Sequence, residues 1–360
     1  MTGQSNPNGG DRGDESDESD ESDGTDRATA VSAVTAHEDI TYAERDTGDL
    51  KLDLHVPAAE GPIPLLVYIH GGGWVYETRK NAPDLERFAA EWGCATASVS
   101  YRLAAIPEHT DVPFSVDPGN TIPNGVFPDQ IVDVKAAIRW LRANADAYGF
   151  EPSAVAAWGA SAGGHLAALA GVVDDIADLA GDVYSDRAVE PSVAPDASGR
   201  VQSVVSWYGI SDLRELSGGA DTVEALLLGG PVGENPDRAR LASPIAHVTA
   251  DAPPFLLLHG REDDVVPVDQ SRRLFDELVA HGVDASCYEL LDLGHVWGAD
   301  SERTAMNVLT SEPRPEYRLT TTPEASETVE TDSPLDGERP IGPDLIGAFL
   351  DRTLSSETQP

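Results

Sequence analysis

The sequence predicts an α/β fold, a mostly parallel central sheet flanked by helices, and three observations carry that prediction. From about residue 37 onward, short strand-like runs alternate with segments of helical period, the order produced by strands joined through helical crossovers. The central runs are apolar throughout, as in 63–70 (IPLLVYIH), which suits strands buried on both faces of a parallel sheet. With 40% hydrophobic and 24% charged residues over 360 positions, the chain can fill one sizeable core.

Taken in order, 39–45 and 50–56 alternate like antiparallel edge strands, and 63–70 is the first buried strand. A helix is expected over 83–92 and a strand over 94–100. Pro128 opens a long helix through 147, with Ile131, Val134, Ile138, Trp140 and Leu141 near helical spacing. Residues 154–159 read as a strand and 162–172 as a helix of small residues directly after it. Further strands are expected at 201–208, 255–259 and 285–291, with helices at 268–280 and 343–354. Three stretches interrupt the alternation, 104–127, 174–200 and 302–340, and are expected as loop or cap insertions on a single domain spanning 37–354.

The charge is strongly acidic, with 63 Asp and Glu against 24 Lys and Arg and a formal net charge of −39. Residues 11–26 (DRGDESDESDESDGTD) hold no apolar side chain, so 1–36 is expected to be a disordered tail. That tail accounts for only −7 of the total and leaves −32 on the remainder, whose only lysines are Lys51, Lys80 and Lys135. Such a body resembles proteins from salt-loving microbes that keep high internal salt. No basic stripe exists to meet phosphates, which excludes nucleic acid as the expected partner. Two cysteines, Cys94 and Cys287, fall in expected strands and read as buried free thiols. Neither an apolar leader nor an apolar run of membrane-spanning length occurs, so a cytoplasmic protein without a membrane span is expected.

Two motifs carry chemistry. Gly159-Ala160-Ser161-Ala162-Gly163 is a G-x-S-x-G sequence between an expected strand (AVAAW) and an expected helix (AGGHLAALAG). A tight strand-to-helix turn lifts a serine clear of its own backbone in a strained conformation, and small neighbours relieve the crowding. The plainer alternative is a structural Gly-rich turn, which the strand and helix on either side disfavour. The second motif, His70-Gly71-Gly72-Gly73-Trp74, ends the first buried strand. Its glycines let backbone N–H groups approach a substrate, where they can stabilise negative charge on oxygen.

With these pieces the chain resembles the hormone-sensitive-lipase-like and feruloyl-esterase-like (BD-FAE type) branch of the α/β-hydrolases. The matching segments are HGGGW at 70–74, YRL at 101–103, FPDQIVDVKAAIRWLRANADAYGFEP at 127–152 and WGASAGGHLAALAG at 158–171. They continue with SP at 243–244, PPFLLLHGREDDVVPVDQS at 253–271 and GH at 294–295. The resemblance spans roughly 40–300 and the last helix; it departs in the acidic tail and in the insertions at 174–200 and 302–340.

The resemblance implies a serine esterase acting through an acyl-enzyme, with the chain order nucleophile, acid, histidine. Ser161 is then the nucleophile and His295, after the last expected strand, its base. His165, His247, His259 and His281 are each read as structural. After strand 255–259 the residues themselves leave Glu262, Asp263 and Asp264 open, and family spacing to Pro267 selects Asp263. For the oxyanion hole the resemblance implies Gly72, Gly73 and Ala162, while the choice among the three glycines stays open. Asp212 reads as a helix N-cap before Leu213. No histidine and cysteine cluster has ligand spacing and no nucleotide loop occurs, so neither metal nor cofactor is expected. The expected partner is a small-molecule ester. The alternatives are an amide-cleaving relative (a formamidase or peptidase-like enzyme) and a catalytically inactive binding protein of the same fold.

Overall fold

The computed structural model describes residues 33–107, 124–179, 193–216, 219–291, 293–295, 317–321, 329–332 and 342–355. The chain starts with an antiparallel hairpin of β1 (Val34–Arg45) and β2 (Gly48–Pro57). There follow β3 (Ile63–Ile69), α1 (Leu85–Trp92), β4 (Ala95–Val99), and the short pair β5 (Leu103–Ala104) and β6 (Asn124–Gly125). The centre holds α2 (Asp129–Ala143), α3 (Ala145–Tyr148), β7 (Phe150–Ala160), α4 (Ala162–Val172) and β8 (Ser203–Trp207). Next come α5 (Val223–Leu228), α6 (Pro236–Ala242), β9 (Phe255–Gly260), α7 (Asp269–Ala280) and β10 (Ala285–Leu290). Last are β11 (Tyr317–Thr321), β12 (Val329–Asp332) and α8 (Pro343–Leu354).

Ten strands form one sheet in the order β1-β2-β4-β3-β7-β8-β9-β10-β11-β12. The run from β4 through β10 is parallel, and the outer strands at both edges are antiparallel. Successive side chains on a strand point to opposite faces, and the core divides accordingly. Leu65, Val67 and Ile69 of β3 pack with Ile131, Val134 and Ile138 of α2 and with Leu166 of α4. Leu66 and Tyr68, from the alternate positions, pack with Phe88 of α1 and Phe349 of α8. Apolar residues in register on both faces are why these strands read as unbroken hydrophobic runs.

The sequence expectations for the parallel strands hold to within a few residues, and those for 162–172 and 343–354 match α4 and α8. The differences have local causes. β1 begins at Val34, inside the stretch assigned to the tail, because Val34, Thr35 and Ala36 pair with Pro57, Val56 and His55. The helix expected over 128–147 breaks into α2 and α3 at Asn144, whose Nδ2 donates to the Trp140 carbonyl at 2.7 Å. An Asn side chain competes for helix carbonyls in this way. Cys94 lies just before β4 instead of within it, though both cysteines are buried and free. The stretch 302–340, read as a loop insertion, contributes β11 and β12 to the sheet edge. Most of 1–36 and the central parts of 104–127 and 174–200 lie outside the described residues. The short helices α5 and α6 were not anticipated; Thr222 caps the first and Pro236 opens the second. Among the described residues no helix is long and apolar enough to cross a membrane.

The segment after β4 meets α2 in a buried ion pair. Arg102 Nε lies 2.7 Å from Asp133 on α2, and Arg45 reaches the same carboxylate at 2.9 Å. Asp133 is fully buried, so the two guanidiniums tie β1 and the segment after β4 to α2.

Candidate active site

β7 runs directly into Ser161, and α4 starts at the next residue. Ser161 adopts φ 55° and ψ −121°, a conformation that side-chain-bearing residues rarely take. The turn persists because its surroundings leave no alternative. The Ser161 N–H donates to Trp207 O at 2.9 Å, and Ser161 O accepts from the His165 N–H at 2.9 Å. A Cβ at Gly159 would stand 2.3 Å from Gly163 C, and one at Gly163 would stand 2.0 Å from Ile69 O. Both glycines of G-x-S-x-G are therefore required by close backbone approach, of the helix to its own entry strand and of the helix to β3.

Three side chains from distant parts of the chain meet at this turn. Ser161 Oγ lies 3.0 Å from His295 Nε2, and His295 Nδ1 lies 2.7 Å from Asp263 Oδ2. Since the carboxylate only accepts, Nδ1 carries the proton and Nε2 is left to accept from the serine hydroxyl. Both distances are within reach for proton transfer and orientation. The Tyr208 ring packs edge-on against His295, with centroids 4.8 Å apart, and limits how the imidazole can turn.

The choice among the three acidic residues after β9 is made by the turn itself. Asp263 is buried, with Oδ1 accepting the N–H groups of Val265 at 2.9 Å and Val266 at 2.8 Å. Glu262 and Asp264 are exposed. Burial alone would raise the Asp263 pKa, but hydrogen bonds from His259 and His295, and from the Val266 N–H, hold it well below the usual carboxylate range.

The glycine turn abuts this serine. Gly72 and Gly73 have φ of 85° and 56°, and the Gly72 carbonyl accepts the N–H groups of Val75 and Tyr76 at 3.0 Å. A Cβ on Gly72 would meet Tyr76 O at 2.3 Å, so the turn closes only around glycine. The Gly71 carbonyl is held by the Tyr101 hydroxyl at 3.1 Å. In a trans peptide this points the Gly72 N–H the opposite way. Among the described residues, no backbone hydrogen bond takes up the N–H of Gly72, Gly73 or Ala162.

The remaining histidines have other work. His165 accepts from Trp74 Nε1–H at 3.1 Å and donates to Ala242 O at 2.7 Å. His247 donates to Leu241 O at 2.9 Å, and His281 contacts Glu277 O at 2.9 Å. Asp212 caps its 3-10 turn, accepting from the Arg214 N–H at 3.1 Å. His259 is structural in part: its Nδ1 accepts from the Ser271 hydroxyl at 2.7 Å and its Nε2–H donates to Val266 O at 2.8 Å. Its second contact, Nε2 to Asp263 Oδ2 at 3.2 Å, was missed. The signal was a histidine and an aspartate four residues apart across a strand end. Tyr208 had no sequence signal at all, because only the fold sets it over His295. A separate cleft of about 870 Å³, lined by Arg45, Arg102 and Asp129 among others, includes none of Ser161, Asp263 and His295.

Known sequences and structures similar to this chain are mostly esterases. The BD-FAE family model matches residues 119–278, and that of the carboxylesterase family matches residues 23–182. The chain has the α/β-hydrolase fold. Relatives of this chain include the probable carboxylic ester hydrolase LipM of Mycobacterium tuberculosis, 34% identical over 61% of this chain and 45% of that protein. Esterase LipC of the same organism is 34% identical over 65% of this chain and 53% of its own length. The chain thus spans about half the length of these relatives. Among solved structures, a truncated carbohydrate esterase from gut microbiota superposes with a TM-score of 0.62 at 28% identity, covering 74% of this chain and 91% of that one. Esterase 2 of Thermogutta terrifontis, at 23% identity and a TM-score of 0.54 over 74% of this chain and 86% of its own, shares the fold.

Proposed function

We propose that this α/β-hydrolase cleaves carboxylic esters of small to moderate size by two-step acyl transfer. Ser161 attacks the ester carbonyl while His295 takes its proton, and Asp263 holds the imidazole and balances the charge it gains. The N–H groups of Gly72, Gly73 and Ala162 receive the oxyanion. His295 then passes its proton to the leaving alcohol and activates water to release the acid. No cofactor enters these steps. The observation that carries the reading is the unbroken line from Ser161 Oγ through His295 to Asp263, at 3.0 and 2.7 Å, raised on a strained strand-to-helix turn. The esterase names of the relatives favour ester over amide substrates.

The domain carrying this activity is proposed to span 37–354 together with the strand residues just before it, and the insertion at 302–340 to border the substrate. The acidic body supports work at high salt, and the buried free thiols Cys94 and Cys287 suit a reducing, cytoplasmic setting. The test is a panel of p-nitrophenyl esters of rising acyl length beside aryl amides, with fluorophosphonate labelling of the wild type and Ser161→Ala. Ester turnover and labelling that both vanish in Ser161→Ala support the reading. Labelling at the normal rate in that variant removes Ser161 from the mechanism.

A further inference from the structure

One further carboxylate reaches the point where Ser161 and the glycine turn meet. Glu77 follows the HGGGW segment and has φ 65°, a left-handed conformation that favours glycine. A Cβ placed on Gly71 would sit 3.5 Å from Glu77 Oε2 and 3.6 Å from Ser161 Cβ, so the acid and the serine face one spot. Glu77 Cβ itself lies 3.0 Å from where a Gly72 Cβ would be. The side chain is thus folded onto the turn whose N–H groups are proposed to meet the substrate.

The electrostatics of this carboxylate are unusual. It is partly buried, and burial pushes its pKa up to about 7 against the opposing hydrogen bond from the Gly71 N–H. The titratable groups that feel it are tyrosines, Tyr68 on β3, Tyr76, Tyr101 and Tyr208, and their own pKa values are raised, chiefly by burial. Among the described residues no basic side chain forms an ion pair with it; Arg79, two positions on, is bound to Asp39 and Asp53. A carboxylate has about four acceptor sites, and the Gly71 N–H occupies one. A half-buried carboxylate with acceptor sites left open and no cation beside it can take a donor from a bound molecule, and strained residues of this kind cluster at ligand contacts.

We propose that Glu77 is a specificity-determining residue, accepting a hydrogen bond from a hydroxyl or ammonium group that the substrate carries close to its scissile ester. By the same charge it repels substrates with an anionic group at that position. The proposal rests on the ester-hydrolase reading and adds the chemistry of the neighbouring substituent. Sites built to pair with a substrate donor reject the analogue that lacks it, because the protein acceptor is then left desolvated and unpaired.

The experiment compares kcat/KM by pH-stat for matched esters in the wild type, Glu77→Gly and Glu77→Gln. On the acyl side these are methyl butyrate, methyl 3-hydroxybutyrate, methyl β-alaninate and monomethyl succinate. On the alcohol side they are propyl acetate and 2-hydroxyethyl acetate. Glycine takes the left-handed conformation without strain, so Glu77→Gly preserves the turn. The wild type is expected to favour donor-bearing esters over their donor-free counterparts by roughly tenfold on at least one side, the size of one charge-assisted hydrogen bond. It should disfavour the succinate. In Glu77→Gly those ratios should collapse toward one, whereas Glu77→Gln should keep part of the hydroxyl preference and lose the ammonium preference. The two donor classes are thereby separated. A wild type that treats all the esters alike, or a Glu77→Gly enzyme that keeps the wild-type ratios, overturns the proposal while leaving the esterase reading standing. Absence of hydrolysis and of fluorophosphonate labelling in the wild type overturns both.

Discussion

Nε2 of His259 stands 3.2 Å from Oδ2 of Asp263, the same oxygen that His295 meets through Nδ1 at 2.7 Å. Two imidazoles therefore share one carboxylate oxygen, while the other oxygen is held by two backbone N–H groups. Replacing His259 with Phe removes one donor and leaves Asp263 more basic. Asp263 should then stabilise the protonated form of His295 more strongly, moving the acid limb of the kcat/KM profile to higher pH. An acid limb at its wild-type position in a folded His259→Phe enzyme would assign this histidine to packing alone.

The depressed pKa of Asp263 also has a stability consequence. The folded value lies below the unfolded one, so the contribution is fully present above about pH 4 and fades as pH falls toward the folded value. Urea denaturation between pH 7 and pH 3 should show the wild type losing more stability than Asp263→Asn over the acid end. Parallel curves for the two proteins would contradict the hydrogen-bonded, ionised carboxylate.

Burial separates the two neighbouring aspartates functionally. Asp263→Asn should lower kcat by about 10³- to 10⁴-fold, since an amide cannot hold the required imidazole tautomer. Asp264→Asn, at an exposed site, should stay within a few-fold of wild type. Steady-state kinetics on one p-nitrophenyl ester decides it, and a crippled Asp264→Asn would reverse the assignment.

The turn at Ser161 is sensitive in opposite directions at positions 161 and 163. Gly163→Ala forces a Cβ to 2.0 Å from Ile69 O and 2.6 Å from His70 O, which are backbone atoms that cannot rotate away. It should destabilise the fold by about 1–3 kcal/mol and depress turnover with it. Ser161→Gly relieves a φ of 55° and should raise stability by about 1 kcal/mol while abolishing hydrolysis. Thermal melts of the two variants should therefore move in opposite senses.

The acidic body predicts a response to salt. Outside the first 36 residues the chain carries −32, and like charges on a compact surface repel one another. The screening length falls from about 10 Å at 0.1 M to about 3 Å at 1 M, so molar salt should remove most of that repulsion. Tm and ester turnover should both rise from 0.1 M to 2 M KCl. A flat Tm across the series would count against adaptation to high salt without touching the active-site assignment.

The sequence by itself determined the alternation of strands and helices, the strained turn at Ser161 and the glycine turn at 70–74, because these are local. A buried parallel strand is apolar on both faces wherever it lies, and a serine between glycines at a strand end has few other conformations open to it. His295 and Asp263 were legible through chain order and the spacing to Pro267, but the residues near Asp263 left three carboxylates open. Only the tertiary structure buried one of the three and exposed the other two, since burial depends on what packs over the turn. The same holds for His259 at the second edge of Asp263, Tyr208 across His295 and Glu77 beside Gly71. Tyr208 lies far in sequence from His295, while His259 and Glu77, four and six residues from Asp263 and Gly71, reach them by the local path of the backbone. The strands β11 and β12 escaped because their sequences, YRLTT and VETD, hold little of the apolar signal that marks the strands at the centre.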